Sequence, residues 1–242
     1  MGKNVHFSFA FSNGGIYYPG QTVQGEAIVD VKQEVKIRGL LLTFCGEANV
    51  HWTESHDSGD GTSYTEHYSS HEQYFSMAWP CLSPPPGIES MIIQPGSYRY
   101  PFTFQIPMGC PSSFEGSIGQ VRYYVKANMD RPWAFDDTAT AIFSVANLID
   151  LNREPEAMNA ANAEDHKTLC CLCCASGPIS VKNYLPKLGF VPGEAIPIKA
   201  EIINHSNRNG QFFMQVVQIV QYITRRRTNK ITTVIGETTR RN

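Results

Sequence analysis

Four cysteines in five positions, Cys170, Cys171, Cys173 and Cys174 in the run CCLCC, are the densest set of reactive side chains in the sequence, with His166 just upstream. They make two overlapping CxxC pairs, the spacing of half a zinc site, which a tetrahedral centre must complete from this set or from elsewhere. No second paired cluster exists, and on a strand adjacent cysteines face opposite ways. Zinc, reversible palmitoylation, and ordinary buried or half-exposed thiols therefore stay open. His51, His56, His67 and His71 gather in a stretch that reads as loop-rich. HEQYF departs from HExxH at its last residue, and His67 and His71 are expected to share a face only on a helix, so the four read as solvated polar positions. Arg225, Arg226 and Arg227 can meet acidic lipid or phosphate or simply stay solvated at a hairpin tip. Arg122 and Lys126, alternating along one strand, are the better candidates for a basic contact surface. There is no GxSxG elbow, P-loop or GxGxxG and no acid pair of identifiable environment, so the expectation is a protein that is not an enzyme, with no cofactor and no metal.

The elements around these residues are strands. Val5, Phe7, Phe9 and Phe11 alternate with His6, Ser8 and Ala10. Tyr98, Tyr100, Phe102, Phe104 and Ile106 repeat the pattern, as do Val121, Tyr123, Val125, Ala127 and Met129. Period-two alternation means one wet and one dry face, and no segment has sustained helical periodicity with caps. Many short strands with turn signals between them predict an antiparallel sandwich. The Ser, Asp and Gly run at 55–64 and the proline-rich run at 79–90 are expected to be loops.

Length permits one large β domain or two smaller ones, and 42% apolar with 17% charged residues is the balance of a folded chain. Lys plus Arg total 20 against 22 acids, so no basic field points to nucleic acid. The N-terminus has no apolar core of a signal peptide, and no stretch of about 20 apolar residues occurs, so a cytoplasmic protein with reduced thiols is expected. His6 stands where a myristoylation signal needs Ser or Thr, which sets Gly2 aside.

One piece of punctuation occurs twice. IYYPGQTVQGEAIV at 16–29 returns as LGFVPGEAIPIKAEI at 188–202: an aromatic residue, Pro-Gly, a polar residue, then alternating apolar positions. Pro19 and Pro192 preset one turn dihedral, Gly20 and Gly193 can take positive φ, and a strand follows, through Val23, Ala27 and Val29 in the first copy and Ile198, Ala200 and Ile202 in the second. A duplicated domain is the reading: 1–149, a polar linker at 150–168, and 169–242. Only 50 residues follow Pro192, against about 130 between Pro19 and the linker, enough for about three strands. The expectation is a second domain cut short, as a truncated product or fragment, or one whose apolar face a partner covers.

The pieces YYPGQTVQG, VHWTES followed by YTEHY, YRYPFTFQIP, SSFEGSIGQVRYYVKANMDRPW and TLCCLCCASGPISV followed by GFVPGE resemble the arrestin domain-containing proteins, the alpha-arrestin branch of the arrestins. The resemblance implies two immunoglobulin-type β-sandwich domains in tandem, the second incomplete here. It also implies a cytoplasmic adaptor, recruited to the plasma membrane and endosomes, that links membrane cargo such as receptors and transporters to WW-domain ubiquitin ligases and endocytosis. The ligases read PPxY, and the sequence has none: Gly87 and Ile88 follow Pro84-Pro85-Pro86 where the motif needs Tyr. Where phosphate-reading arrestins carry basic residues, this chain has Ser8, Phe9, Gln21 and Thr22, so that function is not implied. The position matching the cysteine with which the thioredoxin-interacting member forms a mixed disulfide is Ser206, which cannot exchange, so thioredoxin is not an expected partner. An inert or dominant-negative form without ligase recruitment is the alternative.

Overall fold

Strands with one dry face must bury it against another layer, and the fold follows from that demand. The computed structural model describes residues 4–59, 61–171, 174–206 and 209–241. It has two compact units, Met1–Leu148 with Ile219–Ile231, and Ile149–Gln218 with Thr232–Asn242.

The first unit contains β1 (Val5–Phe11), β2 (Ile16–Tyr17), β3 (Thr22–Val31), β4 (Val35–Ile37), β5 (Gly39–Asp57), β6 (Ser63–Leu82), β7 (Met91–Ile93), β8 (Gly96–Gln105), β9 (Phe114–Glu115), β10 (Gly119–Asp130) and β11 (Asp137–Val145). One sheet has the order β1-β3-β8, a larger one β2-β11-β10-β5-β6 with β9 on β10, and β4 pairs with β7. The alternation read from the sequence holds: Val23, Val29, Phe102 and Phe104 from the small sheet and Leu42, Phe44, Tyr123, Val125, Met129 and Phe143 from the large one share one buried core. Phe44 of β5 joins the layers, its ring 5.4 Å from Phe102 and 5.2 Å from Phe104 of β8. The Tyr123 hydroxyl, buried with this core, donates to the Pro111 carbonyl at 2.7 Å, which removes the cost of an unpaired buried group.

Two expected loops are shorter than the sequence suggests. β5 and β6 pair from Leu40↔Leu82 to Asp57↔Ser63, so the first connection is only 58–62, and the second begins after Leu82. Pro80 is tolerated within β6 because that strand closes the edge of its sheet beside a bulge at Leu40/Leu41, where a missing N–H costs no ladder bond.

The second unit opens with two 3-10 turns, Leu151–Arg153 and Pro155–Met158, the first capped by Asp150, whose carboxylate accepts from the Asn152 N–H. Next come β12 (Ala161–Cys171), β13 (Cys174–Leu185), β14 (Lys199–Asn204), β15 (Gln211–Ile223) and β16 (Thr228–Arg241). The strands β12-β13-β14 make one sheet and β15-β16 a hairpin whose turn-proximal ends belong to the first unit. β12 starts inside the polar stretch 150–168, since Asn, Glu, Asp and His suit a strand that keeps water on its faces. Ile202, Ile203, Phe213, Val217 and Ile235 are all exposed.

The two Pro-Gly turns are the same object. Gly20 and Gly193 have φ of 83° and 88°. The Gln21 N–H donates to the Tyr18 carbonyl and the Glu194 N–H to the Val191 carbonyl, both at 3.0 Å. In each, the fourth side chain reaches back: Gln21 Oε1 accepts from the Tyr18 N–H at 2.9 Å, and Glu194 Oε2 from the Val191 N–H at 3.1 Å. Positive φ at the third position is what a type II turn requires and what glycine supplies without strain. Downstream the copies diverge: β3 starts two residues after Gly20, whereas β14 waits until Lys199, beyond Pro197 and Ile198, because Pro197 has no N–H for the ladder.

Candidate functional site

The β5–β6 pairing puts Trp52 directly opposite Tyr68, with the rings stacked at 5.1 Å. Onto this pair comes Tyr222 of β15, 7% exposed, forming with them a second small core flanked by Val50, Phe114, Ile118, Val220 and Ile231. Two glycines make the room. A Cβ on Gly116 would stand 2.1 Å from the Tyr222 Oη, and one on Gly119 would be 2.9 Å from its Cδ1. A groove of about 430 Å³ runs beside the ring, lined by Val50, Glu72, Phe114, Val121, Val220 and Tyr222 among others.

Arg227 closes this clasp. Its Nε lies 3.0 Å from Glu54 Oε1, which also accepts from Trp52 Nε1 at 3.1 Å, and its guanidinium sits over the Tyr68 ring at 6.0 Å. Thr224 holds the turn: its N–H donates to the Arg227 carbonyl at 2.9 Å, and its Oγ1 accepts from the Arg227 N–H at 3.1 Å. All three arginines are exposed, but Arg227 is tied to Glu54 and Tyr68 while remaining half open to water. Of the three arginines weighed as a lipid or phosphate contact, one is already paired.

The histidines lie on strands. His51 belongs to β5 and His67 to β6, their rings stacked at 5.9 Å; His71 Nε2 is 3.0 Å from Glu47 Oε2. His56 stacks on Tyr64 at 5.2 Å, with its Nε2 3.9 Å from Glu54 and 3.8 Å from Glu66. The expectation that His67 and His71 need a helix to share a face is corrected, because positions four apart also share a face at period two. Among the described residues no group of three or more His, Cys, Asp or Glu is placed to hold a metal ion.

Arg122 and Lys126 lie on β10, as expected, but they are not equivalent. Arg122 grips Glu115 with both Nε at 2.6 Å and Nη2 at 2.9 Å, and this hydrogen-bonded guanidinium holds the Glu115 carboxyl below its usual range. Lys126 is exposed. In the cysteine run, Cys170 and Cys171 end β12 and Cys174 opens β13 opposite Cys171. Cys173 and the side chains of 169–176 lie outside the described residues, and the palmitoylation expectation with them.

The remaining thiols are quiet. Burial pushes Cys45, Cys110 and, most strongly, Cys81 upward, the last to about 11 from 9.0. At neutral pH this leaves about 100-fold less thiolate, and the greater nucleophilicity of a more basic thiolate returns about tenfold, so Cys81 is expected to react with a disulfide reagent about 10-fold more slowly than in the urea-unfolded chain. Timed labelling with mass spectrometry reads this directly, and comparable rates in the two states would contradict it.

The model of the arrestin (or S-antigen) N-terminal domain matches residues 5–152, and that of the arrestin C-terminal domain matches 175–242. Arrestin domain-containing protein 17 of Caenorhabditis elegans is 30% identical over 220 residues, 89% of this chain and 52% of its own length. Arrestin domain-containing protein 4 of Mus musculus is 31% identical over 211 residues, 85% and 50% of the two lengths. Human thioredoxin-interacting protein is 31% identical over 195 residues, 80% and 48%. The chain spans about half the length of the curated relatives it matches.

Proposed function

This chain belongs to the arrestin family, whose members are adaptors, and we propose that it is itself a non-enzymatic adaptor linking membrane cargo, receptors or transporters, to ubiquitin ligases and endocytic traffic. The reading rests on one observation, the match of both arrestin domains in order along a single chain. Its fold suits the task. β6, 20 residues long, ends the large sheet, and such an edge offers main-chain donors and acceptors to an incoming strand while side chains sort partners. The protein works in the cytoplasm and is recruited peripherally to plasma membrane and endosomes; no helix among the described residues is long and apolar enough to cross a membrane.

WW-domain ligases are the family's expected partners, yet these 242 residues contain no PPxY. A second reading is a form that holds cargo without recruiting ligase and is inert or dominant-negative. Thioredoxin is outside the proposal. Ser206 presents a hydroxyl that bonds Asn204 Oδ1 at 2.6 Å, and a hydroxyl does not exchange with disulfides. Nucleic acid is outside it too, for want of a basic field.

Affinity capture of the tagged chain from detergent-solubilised cells tests the proposal, with ubiquitylation of the captured proteins as the second readout. Integral membrane proteins retained together with a ligase support the adaptor. Cargo without ligase selects the second reading, and no membrane protein above the tag-only control ends both.

A further inference from the structure

The β10–β11 connection, residues 131–136, carries two aromatic rings that the first unit leaves bare. Trp133 is 102% exposed and Phe135 97%, whereas Trp52 is 6%. Trp133 has φ of 61°, a left-handed backbone where a residue with a Cβ is rare and glycine or asparagine is ordinary. The turn that imposes it is pinned. Asp136 Oδ1 accepts from the Arg131 N–H at 3.1 Å and its Oδ2 from Asn128 Nδ2 at 3.2 Å. Arg131 Nη1 meets Asp137 Oδ2 at 3.0 Å, and Arg38 Nη2 meets Asp130 at 2.6 Å. These bonds occupy the charges behind the tip and leave two rings outermost, held there by a fixed base.

The surroundings extend the feature. Asp130 lies opposite Gly39 and Leu82 opposite Leu40, so the 83–90 loop leaves the sheet at the same end as the tip, bringing Ile88, 55% exposed. A convex tip of rigidly presented rings matches a fluid, deformable surface. Tryptophan is the side chain most at home where an apolar body meets headgroup water. The two guanidiniums behind the tip, Arg38 and Arg131, are paired with Asp130 and Asp137, so neither calls for anionic lipid.

We propose that this end of the first unit seats on a phospholipid bilayer, with Trp133 and Phe135 entering the headgroup zone and Ile88 at its margin. Direct lipid contact goes beyond cargo capture and does not depend on it. Partitioning is apolar in origin, so it needs only zwitterionic phosphatidylcholine and is insensitive to salt.

The test uses the 242-residue chain with phosphatidylcholine vesicles whose acyl chains are brominated. Trp133 is one ring of three, so about one third of the tryptophan emission is expected to be quenched. That quenching disappears in Trp133→Asn, a residue that tolerates positive φ, with the thermal midpoint held or raised. Phe135→Ser keeps the reporter and is expected to weaken partitioning about tenfold. Equal quenching of parent and Trp133→Asn, or an unquenched parent at saturating lipid, overturns the proposal. Because only Trp133 carries the difference, membrane binding through any other apolar surface leaves the readout unmoved. No cargo is involved, so a negative result removes the bilayer seat and leaves the adaptor standing, while an empty capture experiment does the reverse.

Discussion

Tyr222→Ala is expected to release residues 219–231 from the first unit at a cost of about 2–4 kcal/mol. The ring is 7% exposed, lies in a socket that Gly116 and Gly119 keep open, and anchors the β15–β16 turn against Trp52 and Tyr68. No other side chain of the turn is buried there, and the Arg227–Glu54 pair, with Arg227 half exposed to water, adds little by itself. Tyr222→Phe keeps the body of the ring and is expected to lose under about 0.5–1 kcal/mol, which separates packing from the hydroxyl. Gly116→Val attacks the same contact from the opposite wall and should mimic the alanine variant. Hydrogen exchange of the 219–231 amides reads the release, and tryptic cleavage after Arg225, Arg226 and Arg227 should accelerate in parallel. Unchanged protection in Tyr222→Ala would mean that other contacts hold the turn.

Phe44→Ala is expected to destabilise the first unit by about 3–5 kcal/mol, a large share of the roughly 5–15 kcal/mol that holds an ordinary domain together. Phe44 is 1% exposed and spans the two sheets, so its removal leaves a void between layers that the pleated backbones cannot close. In a chain of this length the melting temperature should fall by about 10 °C. Phe135→Ser, the same ring type on a bare loop, should move it by less than about 2 °C. Calorimetry on the two variants gives the comparison. A loss below about 1 kcal/mol for Phe44→Ala would show that the sheets are not locked through this ring.

The strands were legible because their signal is local. Alternation at Val5–Phe11, Tyr98–Ile106 and Val121–Met129 is written in adjacent residues, and the pleat has no other way to bury it. Where reading failed, the cause was also local. The polar stretches at 55–57 and 161–168 are poor in the β-branched and aromatic residues that mark strands. They are strands nonetheless because partners across the ladder, Ser63–Thr65 and Pro178–Leu185, supply hydrogen bonds that composition cannot reveal. The histidines looked like loop residues for the same reason.

The candidate site divides along the same line. Nothing in the vicinity of Tyr222 announces a partner at Trp52, 170 positions earlier in the sequence, and Arg227 looks like any solvated arginine until Glu54 is brought to it. Arg122 looks free until Glu115 folds beside it. By itself the order of residues determined the β class, the two Pro-Gly turns with their left-handed glycines, the dry faces of the main strands and the family. Each of these depends on dihedral preferences and side-chain alternation within a few residues. Tertiary structure alone decided which charges are cancelled, which aromatic ring is a core and which is bare. Those are properties of burial and distance between segments far apart in the chain, and Trp52 and Trp133 differ in nothing else.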